Sequence, residues 1–182
     1  MKALITLGGT REYIDDVRFI TNLSTGKTGC IIAEQLNSGK YDITCLCAKG
    51  SKHPHGENIK TPEFTSFQDL SVRMKRIMQT EVFDAVIHLA AVSDYSVKSV
   101  VAGKKEYAPG AAGKIPSKAG EMTLVLKKNF KILDRIKDYA GKSNTPYTPL
   151  LIGFKLTSGA SMAEITQSVK MLRRRTSWST MI

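Results

Sequence analysis

Apolar runs of strand length alternate along this chain with segments of helical periodicity, and this alternation limits the fold more than any other feature. In residues 67–80, for example, Leu70, Met74, Ile77 and Met78 recur at helical spacing. Strands are predicted at 2–7, 41–47, 82–90, 122–126 and 150–156, and helices at 26–37, 67–80, 129–140 and 161–172. Alternation of this kind predicts an α/β, Rossmann-like fold of three layers with a mostly parallel sheet.

Length and composition indicate one globular domain. The chain has 182 residues, of which 42% are hydrophobic and 24% charged. No apolar run approaches the roughly 20 residues that span a bilayer, so no membrane association is expected. The N-terminus enters the first strand without a secretory signal, which favours the cytoplasm. Residues 98–120 show little periodicity and are predicted to form a long functional loop.

The cysteines and the net charge exclude several kinds of site. Cys30, Cys45 and Cys47 form no C-x-x-C pair and are predicted to be buried structural thiols, with no metal site. The net charge of +11 favours anionic partners. No aromatic-basic module is present, so anionic small molecules are expected as partners and nucleic acid is not.

Two small-residue loops near the N-terminus suggest a ligand site. Gly8 and Gly9 follow the first strand, and Ser24 and Gly26 precede the first helix, whose free N–H groups attract anions. The alternative is that Ser24 or Thr25 only caps that helix. Ligands of parallel sheets bind at the carboxyl ends of the strands, so the loops after residues 7, 90 and 156 are expected to matter. The dinucleotide fingerprint, the P-loop and the Tyr-x-x-x-Lys pair are all incomplete.

Several blocks in a fixed order carry a family resemblance. The stretch "GGTREYIDDVRFITNLSTGKTG" resembles the phosphopantothenate–cysteine ligases, the ligase half of a coenzyme A biosynthetic flavoprotein. "AAVSDY", "KIPS", "LKKN" and "IGFKL" follow in the order of that family. The resemblance implies that 4′-phosphopantothenate is activated by CTP as an acyl-cytidylate, with Mg²⁺ present, and that L-cysteine then displaces CMP. It also implies a homodimer.

The resemblance assigns roles to individual residues. Asn22 and Lys114 are expected to be catalytic, Asn22 at the acyl phosphate and Lys114 on a mobile flap. Arg18 is expected to bind a substrate carboxylate or phosphate, with a surface salt bridge as the alternative. The residues expected to contact CTP are Gly8, Gly9, Ser24, Gly26, His88, Leu89, Ala90, Asp94, Lys128, Asn129, Phe130, Lys131, Phe154 and Lys170. Phe130 and Lys131 depart from the family pattern, and His88 is expected to pack rather than to catalyse.

The C-terminus departs from the resemblance. The resemblance to the family ends after residue 172. Residues 1–172 are therefore predicted to form the single nucleotide-binding domain, and residues 173–182 an aberrant basic tail. The last six residues can be encoded so that a one-base shift reads Lys-Leu-Val-Tyr-Asn-Asp, like the strand expected there. A frameshift or truncated gene model is therefore predicted, with a short natural paralogue as the alternative. The alternative function is an inactive nucleotide-binding remnant, and an NADP-dependent reductase is disfavoured.

Overall fold

The computed structural model describes residues 1–110, 113–140, 149–156 and 159–176. In chain order the elements are β1 (Lys2–Leu7), β2 (Arg11–Tyr13), β3 (Phe19–Thr21), α1 (Lys27–Ser38), β4 (Asp42–Ala48), β5 (Ile59–Lys60), β6 (Glu63–Phe64), α2 (Phe67–Thr80), β7 (Ala85–His88), β8 (Tyr95–Ala102), β9 (Lys105–Tyr107), β10 (Met122–Lys128), a 3-10 turn (Ile132–Arg135), α3 (Ile136–Ala140), β11 (Leu150–Gly153) and α4 (Met162–Thr176).

A parallel sheet forms the centre of the described part. Its order is β11-β7-β1-β4, with the short strands β5 and β6 both paired to the outer edge of β4. Every pairing in this sheet is parallel, and Ile5 of β1 lies between Cys45 and Ile87 in register. Because parallel strands need crossover connections, helices cover the faces of the sheet and both faces become buried.

Two apolar clusters, one on each face, make this a three-layer structure. On one face α1 contributes Cys30 and Ala33 to a cluster that contains Ile5. On the other face α2 and α3 contribute residues such as Met74 and Ile136. Each cluster takes alternate residues of β1, as the period of a strand requires. The α/β, Rossmann-like prediction with a mostly parallel sheet is therefore confirmed.

A second, antiparallel sheet corrects two predictions. Strand β10 was expected in the parallel sheet, but it pairs antiparallel with β8, which in turn pairs with β9. Residues 98–120 were expected to be a loop, yet they contain most of β8 and all of β9. Only one face of β8 is well covered, by a small cluster with Val97, Val100 and Ile115. A strand that is covered on one face only has polar residues, such as lysine, on its open face. The apolar pattern of the strands in this sheet is therefore weak, which is why the sequence did not predict them correctly.

Other boundaries differ in smaller ways. The antiparallel hairpin of β2 and β3 was not predicted, because its strands are three residues each. The helix expected at 129–140 is shorter and consists of the 3-10 turn followed by α3. Helix α4 continues to Thr176, so the predicted tail begins inside a helix. Residues 177–182, on which the frameshift prediction depends, lie outside the described residues.

The cysteines agree with the prediction that they are structural. Cys30, Cys45 and Cys47 are all free and buried, and all three belong to the cluster on the α1 face. Within the part of the chain that the structure describes, no helix is both long and apolar enough to cross a membrane.

Candidate functional site

A cleft opens where the connections of the parallel sheet change direction. Strand β1 lies between β4 and β7, so the chain leaves β1 toward one side and later returns to the other side. Ligands of such sheets bind at this switch point. The cleft has a volume of about 650 Å³ and joins the loops after β1, β7 and β11 to the start of α1. Its lining consists of Leu7, Gly8, Leu23, Ser24, Thr25, Gly26, Lys27, Thr28, Gly29, Leu89, Phe154, Lys155 and Leu156.

The N-terminus of α1 faces this cleft without a side-chain cap. Gly26 is the N-cap residue, in the left-handed conformation with φ of 76°, and no side chain caps the helix. Thr25 Oγ1 lies 3.4 Å from the Lys27 nitrogen, which is long for a hydrogen bond. Capping by Ser24 or Thr25 therefore does not explain this segment. The first-turn N–H groups and the helix dipole favour an anion in the cleft, and Lys27 and Lys155 line the same space.

The glycines of the two loops are required by contacts within the protein. Gly8 has φ of 84°, and a Cβ there would lie 2.5 Å from the Ala48 Cβ. A Cβ on Gly9 would lie 2.5 Å from the Asn22 carbonyl oxygen. Close approach of backbone segments, as glycine permits, thus brings the end of β1 against the loop that carries Asn22.

The ends of β1 and β7 are joined by a partly buried polar contact. Ala90 N–H donates to Thr6 Oγ1 at 3.3 Å, and the Thr6 hydroxyl lies 2.7 Å from His88 Nδ1. Thr6 is fully buried. The Thr6 hydroxyl therefore bridges the Ala90 backbone and the His88 ring. Burial lowers the pKa of His88 to about 4. His88 therefore holds the strand end in place, in agreement with the expectation that it packs.

Asn22 lies beside the loop that follows β7. Its side-chain Nδ2 donates to the Val92 carbonyl oxygen at 3.3 Å, and the residue is exposed. Thr21 Oγ1 donates to the Thr10 carbonyl oxygen at 2.8 Å, which fixes the preceding residue. Ser93 N in turn donates to Thr10 Oγ1 at 3.0 Å. Asn22 is thus held between the glycine loop and the "AAVSDY" block. It is not among the residues that line the cleft, and its catalytic role stays a prediction.

Asn129 and Asp94 form a network on the other side of this block. The Asn129 backbone N–H donates to the Asp94 carbonyl oxygen at 2.8 Å, and its Nδ2 donates to the Ser93 carbonyl oxygen at 3.0 Å. Ser96 Oγ contacts both Asn129 Oδ1, at 3.0 Å, and the carboxylate of Glu12, at 2.7 Å. The side chain of Asn129 is therefore engaged with the protein, and its contact with CTP stays a prediction.

Nine of the fourteen residues expected to contact CTP are not in the lining of the cleft, namely Gly9, His88, Ala90, Asp94, Lys128, Asn129, Phe130, Lys131 and Lys170. Lys131 pairs with the exposed carboxylate of Asp94. The ring of Phe130 packs edge-on against Phe67, with 4.9 Å between ring centroids, and lines a different cavity beside α2 and α3. Lys170 is exposed on α4. Lys128, the last residue of β10, is exposed as well. Gly8, Ser24, Gly26, Leu89 and Phe154 do line the cleft.

Arg18 lies in the turn between β2 and β3 and contacts Ile115, the residue after Lys114. Arg18 forms an ion pair with the buried carboxylate of Asp15, Nη2 to Oδ2 at 2.5 Å, and also donates to the Ile115 carbonyl oxygen at 2.9 Å. The hydrogen bond from Arg18 holds the pKa of Asp15 well below its usual range. The salt bridge considered as the alternative for Arg18 is thus present, and binding of a substrate by Arg18 stays a prediction. Lys114 is exposed.

Three buried polar residues of the site were not identified from the sequence. Thr6, Glu12 and Asp15 are each at most 5% exposed. Glu12 also accepts a hydrogen bond from the Phe67 N–H at 3.0 Å and so ties the hairpin to α2. A signal existed for Glu12 and Asp15, because both fall inside the first block of the family resemblance, and a carboxylate that is buried needs partners. Thr6 gave no signal, since threonine is ordinary in a strand.

Among the described residues no three His, Cys, Asp or Glu side chains cluster to hold a metal ion. The Mg²⁺ expected with CTP stays a prediction.

Comparison with known proteins identifies the family. The family model described as the DNA/pantothenate metabolism flavoprotein C-terminal domain matches residues 1–178. The coenzyme A biosynthesis bifunctional protein CoaBC of Thermococcus kodakarensis is 30% identical over 170 residues, which is 93% of this chain and 37% of that protein. The chain thus spans little more than a third of the length of this curated relative.

Solved structures agree in fold. The DNA/pantothenate metabolism flavoprotein from Streptococcus pneumoniae superposes with a TM-score of 0.82 at 30% identity, covering 98% of this chain and 79% of that one. A Cab2 variant in complex with phosphopantothenate-cysteine has a TM-score of 0.73 at 19% identity, covering 98% and 70%, and supports the fold alone. The resemblance drawn from the sequence blocks is confirmed. The chain belongs to the family of the DNA/pantothenate metabolism flavoprotein C-terminal domain.

Proposed function

We propose that this chain is a phosphopantothenate–cysteine ligase of coenzyme A biosynthesis that uses CTP. The observation that carries the proposal is the cleft at the switch point, with the uncapped start of α1 on its wall, in a chain that matches this family over residues 1–178. The related CoaBC proteins act in coenzyme A biosynthesis by name. This relation favours a substrate of the same pathway here.

The reaction balances in two steps. The carboxylate of 4′-phosphopantothenate attacks the α-phosphorus of CTP, and the bond to the leaving pyrophosphate breaks, which gives an acyl-cytidylate. The amine of L-cysteine then attacks the acyl carbon, loses a proton, and displaces CMP to form the amide. Both steps bring anionic groups together, so fixed positive charge and N–H donors lower the barrier.

The cleft supplies these donors in the proposed mechanism. The first-turn N–H groups of α1 hold phosphate oxygens, with Lys27 and Lys155 adding positive charge at the rim. Phe154 is half-buried beside Leu89 and offers an apolar surface for the cytosine ring. The backbone beyond His88 contacts the ribose side, held by the hydrogen bond of Ala90 to Thr6.

Asn22 and Lys114 serve different steps. The amide of Asn22 is uncharged and can both donate and accept, which suits the acyl phosphate and its carbonyl in the second step. Lys114 carries an exposed charge on a flexible stem, which suits the phosphate in the first step. Dimerisation belongs to the same proposal, because the resemblance implies it.

The test measures pyrophosphate and CMP release from the purified chain. Pyrophosphate formation that requires CTP and 4′-phosphopantothenate, followed by CMP release that requires L-cysteine, is expected. Replacement of CTP by ATP should reduce the rate strongly. Binding of CTP without any turnover would overturn the ligase proposal and favour the nucleotide-binding remnant.

Two variants separate the steps. Asn22→Asp should keep the pyrophosphate burst but slow amide formation at least about 10-fold, because a carboxylate repels the acyl phosphate. Lys114→Gln should instead reduce the burst itself by a similar factor. Both positions are exposed, so the thermal midpoint should change little in either variant. Equal loss in both steps for both variants would contradict this division of roles.

A further inference from the structure

The carboxylate of Asp15 is an unusual polar group for this chain. The residue is 0% exposed and lies in the turn between β2 and β3. Its Oδ1 accepts from the backbone N–H groups of Val17, at 3.0 Å, and Arg18, at 2.8 Å. Its Oδ2 accepts from Arg18 Nε at 2.9 Å, and the Arg18 ion pair neutralises the charge. A buried carboxylate is stable only with such a complete set of partners.

The same carboxylate reaches a segment one hundred residues further along the chain. The Ile115 backbone N–H donates to Asp15 Oδ2 at 3.0 Å, and the Ile115 carbonyl oxygen accepts from Arg18 Nη2 at 2.9 Å. The side chain of Ile115 is 3% exposed and packs in the cluster under the antiparallel sheet. Residue 115 is thus held through its N–H group, its carbonyl group and its side chain.

The residue on the other side of Lys114 is held by the neighbouring aspartate. The Gly113 backbone N–H donates to Asp16 Oδ2 at 2.5 Å. Lys114 therefore stands between two residues whose backbones are each bound to one carboxylate of the Asp15-Asp16 pair. Its own side chain is exposed. Two anchors that flank one free side chain restrict the backbone of that residue and leave only its stem to move.

We infer that Asp15 and Asp16 are positioning residues for Lys114, an inference that rests on the proposed function of the site. The flexible stem of a lysine places its charge poorly unless the backbone beneath it is fixed, and small misplacements are costly for catalysis. The Asp15-Asp16 pair fixes that backbone and joins it to β3, the strand that leads directly to Asn22. The Asp15-Asp16 pair thus connects Lys114, which acts in the first step, to β3, the strand that precedes Asn22 of the second step.

Amide hydrogen exchange tests the anchoring without any need for activity. In Asp15→Asn the Ile115 amide, and the peptide that contains residues 113–118, should exchange at least about 10-fold faster than in the parent. Peptides from β1 and β4 should keep their parent rates, which shows that the fold is intact. Glu106→Gln removes an exposed carboxylate from β9 of the same sheet and should leave the peptide unchanged. Unchanged exchange at Ile115 in Asp15→Asn would overturn the anchoring.

A second variant protects the test against loss of folding. Asp16→Asn removes only the exposed contact to Gly113, so it should fold normally and raise exchange at 113–118 by a smaller factor, about 2- to 5-fold. If Asp15→Asn is unfolded, this variant decides the question alone. Parent-like exchange in Asp16→Asn would then reject the anchoring.

A double-mutant cycle tests positioning through Lys114. Asp15→Asn should reduce the pyrophosphate burst at least about 10-fold with little change in the apparent affinity for CTP. In a Lys114→Gln background the same change should cost almost nothing more. Additive losses would show that Asp15 acts independently of Lys114 and would overturn the positioning role. If the parent releases no pyrophosphate at all, the proposed function fails, while the exchange data still decide the anchoring.

Discussion

The parallel sheet and the antiparallel sheet differ in how completely their strands are covered. In β4 every residue from Ile43 to Ala48 is buried, whereas in β10 only Leu124 is even partly covered and the other six residues are exposed. Helices cover both faces of the first sheet, but the second sheet has one apolar cluster on one face. The difference suggests that the first sheet supplies most of the stability and the second holds the loop that carries Lys114.

Truncation of one leucine in each sheet should give the largest contrast. Leu46 in β4 is fully buried and Leu126 in β10 is 44% exposed. Leu46→Ala should lower the free energy of unfolding by about 2–5 kcal/mol, because it removes buried apolar surface and leaves a cavity. Leu126→Ala should cost less than about 1 kcal/mol. Urea unfolding monitored by circular dichroism measures both, and equal losses would remove the distinction between the two sheets.

Glycine substitution should sharpen the same comparison. Gly8 and Gly103 both have positive φ, of 84° and 60°, but a Cβ at Gly103 would have 3.8 Å to its nearest neighbour. Both alanine variants bear the left-handed strain of about 1–2 kcal/mol, and only Gly8→Ala adds the 2.5 Å clash with Ala48. We expect Gly8→Ala to lose about 2–4 kcal/mol and Gly103→Ala about 1–2 kcal/mol, measured by urea unfolding. A loss in Gly103→Ala as large as in Gly8→Ala would contradict close packing at the glycine loop.

Protonation of His88, at the end of β7 in the parallel sheet, should lower the free energy of unfolding in acid. Its pKa is about 4 in the folded protein and near 6.5 in the unfolded chain, so the unfolded chain binds more protons between these values. The free energy of unfolding should therefore be undiminished above pH 6.5 and fall as the pH drops toward 4, by up to about 3 kcal/mol. Urea unfolding from pH 7 to 4 measures the slope.

Histidine variants identify the source of that slope. His88→Gln should flatten the pH dependence, because it removes the titrating group. His55→Gln changes an exposed histidine and should follow the parent curve. Parent-like slopes in both variants would show that other groups cause the acid sensitivity.

The sequence predicted the parallel sheet and its helices better than it predicted the antiparallel sheet. Helix α2 was predicted with its observed bounds, because Leu70, Met74 and Met78 form one apolar stripe against a covered face. Strand β8 was not predicted, since Lys98 and other polar residues interrupt a strand with only one covered face. The cleft loops followed from the order of strands, a rule that depends on topology rather than on side chains. The contact of Asp15 with Ile115 spans one hundred residues, and no local pattern reports a pairing of that length.

The reactivity of the three buried thiols beneath α1 can report the separation of that helix from the sheet. All the cysteines of the chain lie in that one cluster, with Cys45 and Cys47 at 0% and Cys30 at 6% exposure, and burial raises the pKa of Cys30. A thiol reagent such as an aromatic disulfide therefore cannot react until α1 separates from the sheet. Because the start of α1 also forms the wall of the cleft, slower labelling in the presence of a nucleotide would register its binding in an unmodified chain. Because α1 both covers the thiols and forms a wall of the cleft, the absorbance change of the thiol reagent measures how much of the cleft is occupied by ligand.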